Sequence, residues 1–131
     1  MFEWLEWIKD IPKRKRMERF AEERRFKLNG AYGFSVNGLL VREFGYLLRY
    51  VTNGKHDSFE NFEDIANDFV AIDSAIVIEI GKPTPREEEV NFTSHEGAVQ
   101  NLKNLRYIVR CISEYVDLAK ELGLPTNPEL H

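Results

Sequence analysis

Side chains that commonly perform catalysis or bind metal ions are scarce in this 131-residue sequence. The histidines are His56, His95 and His131, and the single cysteine is Cys111. They form no His-x-x-x-His, Glu-x-x-His or Cys-x-x-Cys spacing, which would present neighbouring ligands to a transition metal. A glycine-rich loop followed by lysine, as needed to bind nucleoside phosphates, is also absent. The sequence therefore predicts no metal ion, no cofactor and no internal disulfide.

One spacing could still perform chemistry. Arg49 and His56 have six residues between them in the segment RYVTNGKH. This spacing resembles the Arg-(four to six residues)-His motif of the HEPN ribonucleases, although Tyr50 replaces the small polar residue usual after the arginine. The resemblance implies a small helical bundle, often dimeric and free of metal, with Arg49 contacting phosphate and His56 acting as an acid/base or positioning group. Alternatively, Arg49 ends a helix, where a cation suits the helix dipole, and His56 lies in a loop.

Positive charge is concentrated in residues 13–28, KRKRMERFAEERRFKL, where eight basic and three acidic residues give a net charge of +5. Apolar residues recur at helical spacing, which predicts an amphipathic basic helix. Such a helix can bind phosphate backbones, lie on an anionic membrane surface, or remain solvated. Nucleic-acid binding of this kind is weak, non-specific and salt-dependent. The candidate anion-binding residues are Lys13, Arg14, Lys15, Arg16 and Arg19.

A third group of charged residues is predicted to be structural. The helical phase places Asp73 among apolar neighbours and places Arg106 and Arg110 beside the apolar stripe of another helix. A buried carboxylate needs a partner, because an isolated charge in the core costs several kcal/mol. We expect Asp73 to pair with Arg106 or Arg110 and to fix how the two helices align.

The element that dominates the sequence is residues 96–123, predicted to be one long helix. Its ends carry helix signals: Thr93 and Glu96 form a capping box, and Gly123 and Pro125 stop the helix. Ile108, Tyr115 and Leu122 widen the apolar stripe to that of a core-facing helix. The stripe itself, at steps of three and four, is Leu102, Leu105, Val109, Ile112, Val116 and Ala119.

The N-terminal residues 1–28 are predicted to form amphipathic, partly basic helices. Residues 1–11 place Trp4 and Trp7 on or beside an apolar helical face, and Pro12 is expected to end or kink that helix. Residues 13–28 would form the basic helix described above. The tryptophans can cover an edge of the core or anchor the helix at an interface.

The middle of the chain also has helical periodicity. Residues 34–52 are predicted to form a helix that contains Gly38 and Gly45 and follows a turn at residues 29–33. Residues 58–80 are predicted to form another helix with Ser58 as its N-cap. Its last part, residues 75–80, is as β-branched as a buried strand, but it continues the helical phase and is assigned to the helix.

Together these elements predict an all-α protein, a single-domain bundle of four or five helices spanning residues 1–123. Residues 124–131 contain two prolines and are predicted to be a flexible tail. The 43% hydrophobic and 31% charged composition is typical of a soluble globular domain. No apolar run approaches the roughly 18 residues of a membrane span, and we expect a cytoplasmic location.

The sequence favours a non-catalytic binding or adaptor protein that self-associates. Active-site patterns are scarce, while the helices carry more apolar surface than one small bundle need cover. We expect a homodimer, with residues 96–123 or the N-terminal aromatic helix at the interface. The alternatives are a HEPN-like ribonuclease using Arg49 and His56, and a weak nucleic-acid binder using residues 13–28.

Overall fold

The computed structural model describes residues 2–30, 33–83 and 94–128, with the backbone alone for residues 2–10. These residues form five α-helices and a small antiparallel sheet. In chain order the elements are α1 (Phe2–Arg24), β1 (Lys27–Leu28), β2 (Phe34–Val36), β3 (Leu39–Leu40), a 3₁₀ helix (Val41–Phe44), α2 (Gly45–Val51), α3 (Phe62–Asn67), α4 (Phe69–Ile80) and α5 (His95–Leu122).

The long C-terminal helix α5 is the centre of the fold and packs against α1, α2, α3 and α4. Every residue of its predicted apolar stripe is buried, as are the three that widen it. Thr93 lies outside the described residues, and Ser94 is the N-cap, with its hydroxyl accepting the Gly97 N–H at 3.0 Å. Gly123 adopts the left-handed conformation (φ 69°) that ends the helix, as predicted.

The N-terminal helix continues through Pro12, so the prediction of two helices in residues 1–28 is wrong. A proline inside a helix removes one backbone hydrogen bond, but Pro12 is exposed and water can satisfy the carbonyl group left free. The helix ends at Arg24, because Arg25 turns into the left-handed region (φ 53°). Residues 27 and 28 form strand β1 instead of a last helical turn.

Residues 34–52 are not one helix as predicted. The segment begins as a hairpin, in which Val36 pairs with Leu39 across Asn37 and Gly38. Both turn residues have positive φ (52° and 80°), as a two-residue hairpin requires. The sheet order is β1-β2-β3. The all-α prediction is therefore too simple: the protein is mostly helical but carries a three-stranded sheet.

Residues 58–80 form two helices. Asn61, rather than Ser58, is the N-cap of α3, and its side chain accepts the Asp64 N–H at 3.2 Å. The helix is interrupted at Asp68, and α4 then extends to Ile80. Residues 75–80 are helical, as predicted.

An aromatic cluster joins the sheet to the helices. The Tyr115 ring on α5 lies 5.7 Å from the Phe62 ring on α3 and 5.5 Å from the Phe26 ring that precedes β1. The Phe34 ring of β2 lies 5.6 Å from that of Phe62. Aromatic pairs at such distances add to the stability that burial provides. The sheet thus closes one end of the helical core.

The segment after α5 contacts α3. Leu124 packs against the core, and the Asn127 side-chain oxygen accepts the Phe62 N–H at 2.7 Å. The Thr126 hydroxyl donates to Glu63 at 3.2 Å. Residues 124–128 of the predicted flexible tail therefore reach the first turn of α3, and residues 129–131 lie outside the described part. Among the described helices, none combines the length and the hydropathy needed to cross a bilayer.

Candidate functional site

His56 contacts Asp68, the residue between α3 and α4. Its side chain is only 12% exposed, and Nε2 lies 2.7 Å from Oδ2 of Asp68. Lys55 Nζ approaches the same oxygen at 2.7 Å. Hydrogen bonds from Lys55 and then His56 lower the pKa of Asp68. His56 and Lys55 therefore hold the Asp68 carboxylate at the junction between α3 and α4.

Arg49 lies in a different environment from His56. It is exposed at the end of α2, and its carbonyl oxygen accepts the Gly54 N–H at 2.8 Å. Its side chain lines an open groove between α2 and α4, whereas His56 contacts Asp68 and is not among the described residues that line this groove. A HEPN-like ribonuclease needs both side chains at one scissile phosphate, either within one chain or across a dimer. Within the single chain described, Arg49 lines the groove and His56 does not. The groove is lined by Tyr46, Arg49, Tyr50, Val51, Asn53, Gly54, Ala75, Ile78, Glu79 and Lys82.

A buried carboxylate lies at the groove between α2 and α4. Glu79 is 5% exposed, and its Oε1 accepts the Tyr50 hydroxyl at 2.8 Å. Its Oε2 lies 2.7 Å from Lys82 Nζ. Both oxygens thus have partners, which suits Glu79 to holding α2 against α4 rather than to taking a proton from a bound molecule. The sequence analysis missed this residue, although an acid within the apolar run AIVIEI was a visible signal.

The ion pair expected of Asp73 is made with Arg106. Arg106 Nε donates to Oδ1 at 2.8 Å, and a terminal nitrogen donates to Oδ2 at 3.3 Å, so the contact is bidentate. Asp73 raises the pKa of Arg106 through these hydrogen bonds. Arg110, the other predicted candidate, is exposed one turn further along α5. The pair joins α4 to α5, and its geometry is structural.

The five candidate anion-binding residues are all exposed on α1. Residues 12–16 are exposed without interruption, so this part of the helix stands clear of the core. Successive helical residues point about 100° apart, and the run of four cations is therefore spread around the helix instead of forming one face. Arg16 also lies 3.6 Å from Glu121 of α5.

The feature that sequence analysis did not anticipate is the outer surface of α4. Val70 is 75% exposed, Ile78 65% and Val77 43%, although all three are large apolar residues. Ala71 and Ser74 are exposed between them. The only charged residue from 69 to 78 is Asp73, which Arg106 binds. We call Val70, Ala71, Ser74, Val77 and Ile78 the α4 face.

The α4 face exists because this helix is apolar on both sides. Phe69, Ile72 and Ile76 point toward the core, as their spacing predicts. Residues 75–80 are nearly all apolar, so a helical period cannot direct every one of them inward. The β-branched run that made helix and strand hard to distinguish was the signal of this second apolar side.

The described residues contain potential metal ligands and one thiol. They contain no group of three or more His, Cys, Asp or Glu side chains that could hold a metal ion. Cys111 is buried in α5, and burial raises the pKa of its thiol, which disfavours the reactive thiolate.

Comparison with protein-family models, with curated proteins and with solved structures finds no significant match for this chain. The function is therefore inferred from the chain's own contacts and charges.

Proposed function

We propose that the protein is a non-catalytic binding protein that self-associates through the α4 face. The observation that carries this proposal is the exposure of Val70, Val77 and Ile78 on one uncharged helical surface. Contact between apolar side chains and water raises the free energy, so an exposed apolar patch gains stability when a partner covers it.

The α4 face is small, so the association that we propose is weak. Val70, Val77 and Ile78 are 75%, 43% and 65% exposed, and together they offer on the order of 200 Å² of apolar side chain. This area is well below the roughly 800 Å² per partner of a standard interface. Tyr46, which is 45% exposed beside Ile78 in the groove, extends the apolar area.

The location differs from the one that the sequence favours. The apolar stripe of α5 packs within the chain and is not free to form an interface. The side chains of the N-terminal aromatic helix, including Trp4 and Trp7, lie outside the described residues. The α4 face is the exposed apolar surface that we assign to self-association.

The ionisable contacts are consistent with a binding role. Tyr50 and Lys82 hold Glu79, while Asp68 engages His56. Each of these carboxylates thus has charged or polar partners within the fold.

Sedimentation equilibrium from micromolar to several hundred micromolar protein tests the proposal. The unmodified chain should show an average mass that rises with concentration toward the dimer, and Val77→Lys should remain monomeric, because association would bury its charge. Leu28→Lys is the matched control, since Leu28 is 40% exposed on β1 and should leave the dimer intact. A monomer mass for the unmodified chain throughout, or a Val77→Lys dimer, would show that the α4 face does not mediate self-association.

Weak anion binding by α1 is a second candidate. It is favoured by the exposure of all five basic residues in a helix segment that stands clear of the core. Affinity for single-stranded RNA should fall steeply between low and high salt and should weaken in Lys13→Gln/Lys15→Gln. Binding that is unchanged by salt would contradict a phosphate-contact mechanism.

A further inference from the structure

We infer that two copies of this chain pair their α4 faces antiparallel, with the two-fold axis at Ser74. This inference rests on the proposed function and specifies its partner and geometry. In a symmetric antiparallel pair, residues equally far before and after the axis face each other. Val70 then lies opposite the partner's Ile78, and Ala71 lies opposite the partner's Val77.

The residue types suit this axis. The two most exposed large side chains of α4, Val70 and Ile78, lie at the ends of the α4 face, while Ser74 is small and central. Small residues at a crossing point let two helices approach closely, and large apolar residues at either end then pack against one another. Every exposed apolar residue of α4 from 70 to 78 thereby meets an apolar residue.

Neighbouring axes fit less well. An axis at Ala71 would place Ile78 opposite position 64, which belongs to α3 and lies before the start of α4 at Phe69. An axis at Val77 would place Val70 opposite position 84, beyond the end of α4 at Ile80. The axis at Ser74 avoids both problems.

Charge favours the antiparallel over the parallel arrangement. The end of α4 that follows α3 carries the Lys55–Asp68 ion pair and lies near the exposed Asp64. The other end carries the Lys82–Glu79 ion pair and the exposed Arg49. Antiparallel pairing brings Asp64 of one copy toward Arg49 of the other and opposes the two helix dipoles. Parallel pairing would place like charges together at both ends.

A charge-swap series tests this geometry. Val70→Glu alone and Ile78→Lys alone should each weaken dimerisation by at least about tenfold, because each buries one charge against an apolar side chain. The double variant V70E/I78K should recover the affinity to within about threefold, because each glutamate then faces a lysine of the other copy. Both positions are exposed in the free chain, so circular dichroism should show an unchanged fold.

Oxidative cross-linking of Ser74→Cys provides an independent measurement. Only an axis at residue 74 brings the two new thiols within the Cα separation of about 4.4–6.8 Å that a disulfide needs. Cys111 is 2% exposed and should not react. Ser58→Cys, at an exposed site outside α4, is the matched control and should not cross-link.

The outcomes separate this inference from the proposed function. Recovery in the double variant together with a Ser74→Cys cross-link supports the antiparallel axis. If Val77→Lys abolishes the dimer, but the double variant does not recover affinity and Ser74→Cys does not cross-link, the axis at Ser74 is wrong. The α4 face then remains the proposed interface. A monomeric unmodified chain overturns both.

Discussion

Replacing Ile78 with alanine should weaken the dimer and change the stability of the folded monomer only slightly. Alanine lacks three carbon atoms of the isoleucine side chain, each worth about 0.8 kcal/mol when it leaves water completely. Ile78 is 65% exposed in the free chain, so association can remove at most about that fraction from water, or about 1.5 kcal/mol per copy. A symmetric dimer contains the residue twice, which gives about 3 kcal/mol, or roughly a hundredfold in Kd.

The same substitution should have only a small effect on the folded monomer. About a third of Ile78 is buried within the chain, so alanine loses about 0.8 kcal/mol of burial there, and its higher helix propensity offsets a few tenths of a kcal/mol of that loss. Urea unfolding should be measured well below the dimer Kd, because dimerisation would otherwise add to the apparent stability. The monomer should then be less stable than the unmodified chain by no more than about 1 kcal/mol.

Sedimentation equilibrium of both proteins supplies the two Kd values. Leu28→Ala is the control, because it also shortens an exposed aliphatic side chain but lies on β1. If Ile78→Ala changes Kd by less than about threefold, dimerisation does not bury the Ile78 side chain, and Ile78 is not at the interface. A similar loss in Leu28→Ala would mean that association is not specific to α4.

Other substitutions test contacts within the fold, with urea unfolding as the common measurement. Tyr50→Phe should cost about 1–2 kcal/mol, because it removes a hydrogen bond to the buried Glu79 carboxylate; unchanged stability would mean that this bond contributes nothing. The pKa of Asp68 is lowered in the fold, so its ionised form stabilises the protein above the ordinary carboxyl pKa of about 4, and this stability is lost as pH falls through the lowered value. Asp68→Asn should therefore flatten the acid limb of a stability-against-pH curve, and identical curves would contradict the ion contacts. Gly38→Ala should cost about 1–2 kcal/mol because φ is +80°, whereas Gly81→Ala, with φ −76° and room for a Cβ, should not destabilise.

The spacing of apolar residues was sufficient to predict α5, because it is regular over a long stretch and both ends carry helix-capping signals. It was insufficient for residues 34–40, where Val36 and Leu40 are spaced as on a helix although Asn37 and Gly38 form a hairpin turn. The turn chemistry overrode the periodicity, since both residues readily adopt positive φ. Lys55 and His56 contact Asp68 between α3 and α4, and because both lie outside the periodic segment, its pattern does not indicate these contacts.

In the candidate site too, spacing along the sequence predicts some contacts, whereas others depend on how distant segments pack. An ion pair of Asp73 with Arg106 or Arg110 could be predicted from sequence, because helical phase places all three beside apolar stripes, but the choice of Arg106 comes from the structure. Glu79 and Tyr50 are 29 residues apart, and their contact depends on how α2 packs against α4. The α4 face could not be assigned from periodicity, because a helix that is apolar on both sides does not indicate which side the neighbouring helices will cover.

The central position of α5 has a consequence for how the protein is made. The ribosome synthesises α1 to α4 before α5, yet all four pack against that last helix. A nascent chain ending before residue 95 consequently has apolar faces with no α5 to cover them, among them Ile65, Ile72 and Ile76. Native packing must await the emergence of α5, so the growing polypeptide is a natural client for chaperones that bind exposed apolar segments.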